Sequence, residues 1–270
     1  MNLDMPIKTL ILSVVNIFET GTPDGKYDDI SIYADGKPDA SGKKTRQVTY
    51  GRSQTTEQGN LKDLIAAYIA NNGVFSKNFS YYLPKIGVEP LVDNEMFKTV
   101  LKDAAREDPI MKTTQDAFFD KRYFQPAVTF CVDNKFTLPL SMLVIYDSHI
   151  HSGKVPQTVR NMFSESIPKN GGDEKEWIKA YVDARRRWLL RLQEPVPQTV
   201  YRMDCFKAQI NIDNWMLDKP VLSNGTLSKD TIDLTSNSAA QWEGFEMKDT
   251  PVSSTPLIYK LMKRRLSKLE

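Results

Sequence analysis

A chain of 270 residues, 40% hydrophobic and 26% charged, holds enough apolar material for one large domain or two modest lobes around a shared cleft, and it excludes collagen-like, low-complexity and wholly disordered classes. Thirty-six Lys and Arg against 34 Asp and Glu leave a net charge of only +2, so no global field speaks for a nucleic-acid partner. No apolar run approaches the roughly 18 residues that span a bilayer, and Leu10 to Val15 is too short and lacks the cleavage pattern of a signal peptide.

Ile7, Leu10, Ile11, Val14, Val15 and Phe18 mark one buried face of a helix over residues 5–20, stopped by Gly21 and Pro23. Glu19 sits in its last turn. Residues 29–33 alternate apolar and polar, and Gln47-Val48-Thr49-Tyr50 is a second short strand. The turn-rich residues 34–44 between them make a hairpin with a long tip. Asn60 is placed to cap a helix through Leu61, Leu64, Ile65 and Tyr68. Further helices are predicted near 95–106, 110–132, 136–150, 156–164, 174–192 and 200–210, with Gly171-Gly172-Asp173 as stop and cap before Trp177. The pattern predicts an α+β fold, predominantly α-helical and two-lobed, with a small β-hairpin sheet beside the cleft. It places one domain over 1–221 and a loop-rich extension over 222–270 that ends in a basic helix.

Four constellations carry chemistry. Glu19 ends a buried helix, and Asp35 follows sixteen positions later on the hairpin. Glycoside hydrolysis needs two such carboxyls: one kept protonated beside apolar walls, the other ionised to activate water. Position alone does not separate this pair from a solvated helix end and a loop Asp. The polar run from Thr49 to Leu61 offers a hydroxyl that can hold a nucleophilic water; as plain structure it is strand, loop and cap. In Asp183-Ala184-Arg185-Arg186-Arg187-Trp188 the three arginines cannot all face one way on a helix. One is expected to turn inward onto a carboxylate, with Arg202 and Asp147 as candidates for the same network. Finally, Asp147-Ser148-His149-Ile150-His151 gathers triad residue types, but a triad converges from separate elements, and His149 and His151 diverge on a helix. With no CxxC or HExxH pattern no metal site is expected, and Cys131 and Cys205 are open to pairing without making a disulfide scaffold.

Blocks in order then resemble one family. Asn16-Ile17-Phe18-Glu19-Thr20-Gly21-Thr22, Tyr27, Asp35-Gly36, Gly59-Asn60-Leu61, Tyr82-Leu83-Pro84, Gln115-Asp116 with Tyr123-Phe124-Gln125-Pro126-Ala127-Val128, Tyr146-Asp147 with His151-Ser152-Gly153, and Gly172-Asp173-Glu174 through Asp183-Ala184-Arg185 to Arg202-Met203-Asp204 are similar to the chitosanases of glycoside hydrolase family 46, in the wider lysozyme-like group. The likeness runs over roughly residues 8–215.

The resemblance implies an endo-acting, inverting hydrolase of β-1,4-linked glucosamine polymers, with no metal or organic cofactor. Glu19 would be the general acid and Asp35 the general base. Thr49 aligns with the threonine that helps hold the attacking water, and Tyr27 with a supporting tyrosine. Asp147, Arg185 and Arg202 would form the ionic network behind the acid. It implies a polysaccharide substrate, a monomer, no membrane or nucleic-acid partner, and an extracellular location, although no signal peptide is visible. Three departures stand out. The segment from Asp35 to Thr49 is longer than in typical members, which leaves Asp39 as a second candidate base. Asn60 replaces the acidic residue that meets a glucosamine ammonium, which suits a neutral or N-acetylated sugar. With the missing signal, this keeps a muramidase-like peptidoglycan hydrolase open as an alternative, and a non-catalytic carbohydrate-binding protein on the same fold as another.

Overall fold

The computed structural model describes residues 5–192, 196–219, 221–222 and 231–232. They fall into two compact units. One is built from the chain up to Asp24 and again from Tyr123 onward; the other is Gly25–Arg122.

In the first unit, α1 (Met5–Thr20) buries Leu10, Ile11, Val14, Val15 and Phe18, the stripe read from the sequence. It ends where Gly21, at φ 79°, sends its N–H back to the Ile17 carbonyl at 3.0 Å. The centre of the unit is a helix spanning Pro139–Ser152, buried on every side from Pro139 to His149. Such a helix must be apolar all round, and Leu140, Met142, Leu143, Val144, Ile145 and Tyr146 supply that. Two of its serines, Ser141 and Ser148, are partnered from the helix Glu174–Leu189. Glu174, from the first turn of that helix, accepts from Thr137 N, Leu138 N and Ser141 Oγ at 2.6–2.9 Å, which closes the start of the central helix with a negative charge. Ser148 pairs with the Tyr181 hydroxyl. A last helix, Tyr201–Asn211, packs Met203, Cys205 and Phe206 into the same core. Cys131 and Cys205 are both buried there with no disulfide between them, so the open pairing resolves to no bridge.

In the second unit, β1 (Ile30–Tyr33) pairs antiparallel with β2 (Gln47–Tyr50), with Ile30 opposite Tyr50 and Ile32 opposite Val48. β3 (Thr55–Thr56) pairs with β2 in turn, so the expected hairpin is a three-stranded sheet. The period of two sorts its residues. Val48, Tyr50, Ile30 and Ile32 face a core with Leu61, Leu64, Ile65, Tyr68, Phe79 and Phe97. Ser31, Tyr33, Gln47 and Thr49 fall on the opposite face. The helices are α2 (Leu61–Ala70), α3 (Ser76–Tyr82), α4 (Glu95–Glu107) and α5 (Pro109–Phe119). The helix α3 was not anticipated.

The expected helix over 110–132 is broken. After α5 the chain widens into a π turn, Asp120–Phe124, before resuming as a helix over Gln125–Asp133. Pro126 has no N–H to return to the Arg122 carbonyl and its ring crowds that carbonyl, so a wider turn relieves both problems. The helix expected over 156–164 spans only Gln157–Arg160, and the Arg160 side chain reaches forward to the Phe163 and Glu165 carbonyls at 2.8 Å, holding the following chain off the helical path. Of the anticipated extension over 222–270, the described residues hold only one short pairing, Val221–Leu222 with Thr231–Ile232; the basic terminal helix lies outside them. No helix among the described residues is long and apolar enough to cross a membrane.

Candidate active site

Glu19 stands at the end of α1, with its side chain 13% exposed. Its Oε1 accepts from Arg202 Nη2 at 2.7 Å. Arg202 also gives Nη1 to Asp147 Oδ1 at 2.8 Å, and Arg185 gives Nη1 to Asp147 Oδ2 at 2.6 Å. One carboxylate therefore holds two guanidiniums, and one of these holds Glu19. Asp147, Arg185 and Arg202 are fully enclosed. Burial alone would raise the Asp147 carboxyl, yet Arg185 and Arg202 together outweigh it and hold it below its ordinary value. Burial likewise opposes the Arg202 charge, while Glu19, Tyr201 and Asp147 sustain it. Two aromatics complete the mount. The Arg202 guanidinium lies 5.3 Å over the Phe18 ring, and the Tyr201 hydroxyl donates to the Phe18 carbonyl at 2.9 Å.

The sequence brought four of these residues together, and the structure gathers all four. Of the arginine run, Arg185 turns inward, Arg186 pairs with Asp204 at 2.7 Å, and Arg187 is exposed. Tyr201 was missed. Its only sequence signal is adjacency to Arg202.

Asp35 is exposed in the segment between β1 and β2. Its Oδ1 accepts from Gln47 Nε2 at 2.9 Å. Gln47, 5% exposed, also accepts at Oε1 from Gln58 N at 3.0 Å. Gln58 in turn gives Nε2 to Thr45 Oγ1 at 3.0 Å and takes Lys37 N at 2.5 Å. Gly36 leaves room for this crowding. A Cβ there would meet Thr45 Oγ1 at 2.6 Å and Gln58 Nε2 at 2.8 Å. Asp39, the second candidate base, is used locally. Its Oδ1 accepts from the Ser41 hydroxyl, Ser41 N and Lys43 N, which lowers its pKa and ties the carboxylate to the loop tip.

Thr49 lies on β2 opposite Ser31 and Thr56, on the same strand face as Gln47. Its hydroxyl is buried and makes no hydrogen bond among the described residues. Tyr27 sits elsewhere in the unit, where its hydroxyl donates to Asp116 Oδ1 at 2.9 Å. Buried Arg52 pairs with the same carboxylate at 2.8 Å, and Gln115 supports both from Arg52 N and the Tyr27 carbonyl. Asn60 does not cap α2 as expected. Its φ of −98° and ψ of −2° are helical, so its side chain is not aimed at the first N–H groups, and its Oδ1 takes Arg122 Nη2 at 2.6 Å instead. Gln47, Gln58, Arg52 and Arg122 were not singled out from the sequence. For Gln47 a signal existed: it lies two positions before Thr49 on a strand.

The triad residue types on the central helix are engaged separately. Asp147 is taken by arginines and Ser148 by Tyr181. Among the described residues no three His, Cys, Asp or Glu side chains gather as a metal would need.

Residues 13–221 match the model of Glycosyl hydrolase family 46. A chitosanase of Bacillus subtilis (strain 168) is 25% identical over 230 residues, covering 77% of this chain and 78% of its own. Among solved structures, a chitosanase of Gynuella sunshinyii in complex with chitotetraose superposes with a TM-score of 0.69 at 20% identity, over 83% of this chain and 97% of its own. A mutant chitosanase from Bacillus subtilis MY002 complexed with 6 GlcN gives a TM-score of 0.68 at 22% identity, over 82% and 95%. These likenesses speak for the fold, and the family match spans both units with the Glu19 network and the Asp35 hairpin inside it. The chain is a glycoside hydrolase, and it belongs to glycosyl hydrolase family 46.

Proposed function

We propose that the chain is an endo-acting, inverting hydrolase of the β-1,4 bonds of chitosan, with Glu19 as general acid and Asp35 as general base. The observation that carries this reading is the buried ionic mount behind Glu19. A group that hands a proton to a glycosidic oxygen must be aimed and kept from bulk water. Arg202 aims it, and the end of a buried helix shields it. Asp35 has the opposite setting. It is exposed, with one oxygen taken by Gln47, which leaves the other for solvent. In the reaction, Asp35 takes a proton from water, and the water oxygen bonds to the anomeric carbon. The glycosidic bond breaks toward the oxygen that Glu19 protonates, and the configuration inverts. Two observations support the remaining roles, Asp35 rather than Asp39 as the base, and Thr49 as the group that helps hold the water. The Asp39 carboxylate is spent on its own turn, and the Thr49 hydroxyl is unspent while that of Thr45 is taken. The named chitosanases among the relatives support the polymer.

One observation favours a second substrate. Asn60 presents a neutral amide already engaged by a guanidinium, which offers no anion to a glucosamine ammonium and suits an N-acetylated chain such as peptidoglycan. Reducing-end release from chitosan and from purified peptidoglycan, by wild type and Glu19→Gln, tests both. The expected result is activity on chitosan that falls about a hundredfold or more in the variant, with the first product formed as the inverted anomer by NMR. Activity on peptidoglycan alone moves the assignment to the second polymer. Equal rates in wild type and variant overturn the role of Glu19.

A further inference from the structure

The hairpin tip makes Asp35 an exposed loop carboxylate, and such a group has no intrinsic reason to hold one orientation. We propose that Gln47 is the positioning residue of Asp35: a buried, orientation-locked amide that fixes one carboxylate oxygen and leaves the other for the attacking water. The inference rests on the reading of Asp35 as the base.

The lock follows from donor and acceptor chemistry. A side-chain amide can be turned over, exchanging its oxygen and nitrogen, unless a partner of fixed character forbids it. Here Oε1 of Gln47 receives the backbone N–H of Gln58, which can only donate. Nε2 must therefore point the other way, and it meets Asp35 Oδ1. The same logic repeats one step out. Gln58 Oε1 receives the backbone N–H of Lys37, so its Nε2 is committed to Thr45 Oγ1. Two amides in series, each keyed by a backbone donor, tie the strand β2 to the loop that carries Asp35. Gly36 lets them approach, since any Cβ would strike both Thr45 and Gln58.

The charged groups around this loop are engaged elsewhere or follow it in sequence. Asp39 is tied to Ser41 and Lys43, Arg46 pairs with Asp93 at 3.2 Å, and the two oxygens of Glu57 accept from Val48 N and Leu91 N. Lys37, Lys43 and Lys44 lie exposed along the tip. The hydrogen bond to Asp35 comes from a neutral donor. That donor orients the carboxylate without placing a full positive charge against it.

The test is the pH profile of kcat/KM on chitosan for wild type, Gln47→Glu, Gln47→Leu and Asp35→Asn. Gln47→Glu is the informative variant. It keeps an acceptor for Gln58 N, and so the shape of the hairpin, but turns the donor facing Asp35 into a like charge. The expected result is an acidic limb raised by about one pH unit, and a kcat about tenfold to a hundredfold lower with KM within about twofold. Gln47→Leu should move the limb in the same direction by less, and matched thermal melting curves establish that both variants fold. An unmoved acidic limb in a folded Gln47→Glu, with Asp35→Asn inactive, overturns the role of Gln47 and spares the base. Full activity in Asp35→Asn removes the base, and the proposal with it.

Discussion

The two carboxylates are mounted by opposite means. Glu19 is held by full charges inside a helical core, through Arg202, Asp147 and Arg185, all enclosed. Asp35 is held by neutral amides at the edge of a small sheet, through Gln47 and Gln58, and is itself exposed. A buried charge network is strong only while complete. Each ion pays a desolvation cost that its partners offset, so removing one strands the rest. A neutral amide chain carries little such liability, since its members lose only a hydrogen bond each, worth about 1 kcal/mol. The first mount is inseparable from the stability of its unit. The second can be altered with the fold intact. Breaking each in turn should therefore give different combinations of lost activity and lost stability.

The largest effect belongs to Asp147. Asp147→Asn keeps the volume but leaves two enclosed guanidiniums facing a neutral amide. We expect a loss of about 3–5 kcal/mol in urea unfolding, with activity lost alongside it. A variant that loses activity while keeping wild-type stability would show that the network acts on Glu19 alone and supports no part of the core.

Much of this first mount was legible in the sequence. The α1 stripe placed Glu19 at a helix end, and the inward arginine could be sharpened further. Trp177, Tyr181 and Arg185 lie four apart on one apolar stripe, so Arg185 had to enter the core where Arg186 and Arg187 did not. Asp147 and Arg202 were only candidates from the residues themselves, and family likeness placed them behind the acid, because nothing in their local pattern says which acid meets which base across 55 positions. The second mount was barely legible. The strands were read, but the partners of Gln47 depend on how a long loop closes, and Gln residues carry no periodic signal of their own. Asn60 was misread for a related reason. Capping preference is a local tendency, and a charge-assisted bond to distant Arg122 took the side chain first. The π turn at Asp120–Phe124 was concealed by an unbroken helical pattern, although Pro126 marked the place.

A smaller effect tests whether the core accepts charge only where it is compensated. His149 lies two residues beyond Asp147 on the same enclosed helix, and burial lowers its pKa to about 4. The unfolded chain takes up this proton near the ordinary value of 6.5, while the folded chain refuses it until about 4. Across that window the unfolded state binds more protons, so stability falls as pH falls and levels off below it. Asp147 works in a lower window: its depressed carboxyl contributes stability that is lost only as pH falls below the ordinary carboxylate range. Urea unfolding at pH 7 and pH 4.5 should therefore show wild type losing on the order of 2 kcal/mol more than His149→Leu. Equal losses would mean that the imidazole finds a compensating partner when charged.

The smallest effect separates the two acidic residues of the hairpin. Asp39 and Asp35 are four positions apart in one exposed loop, and composition cannot distinguish them. Their bonds do. Asp39 gathers three donors from its own turn, two from Ser41 and one from Lys43, the pattern of a residue that shapes a loop. Asp35 takes a single donor from a neighbouring strand, the pattern of a group that is aimed. Asp39→Ala should relax the tip, which backbone bonds between Asp39 and Lys43 and between Gly42 and Asp39, with the isolated bridge of Pro38 and Lys44, still close. It should leave kcat/KM on chitosan within about threefold of wild type, since the amides that hold Asp35 attach on the far side of that bridge. A drop as deep as that of Asp35→Asn, in a variant that melts as wild type does, would transfer the base to Asp39. Gln47 would then orient a bystander, and the comparison between charged and neutral mounts would lose its second member.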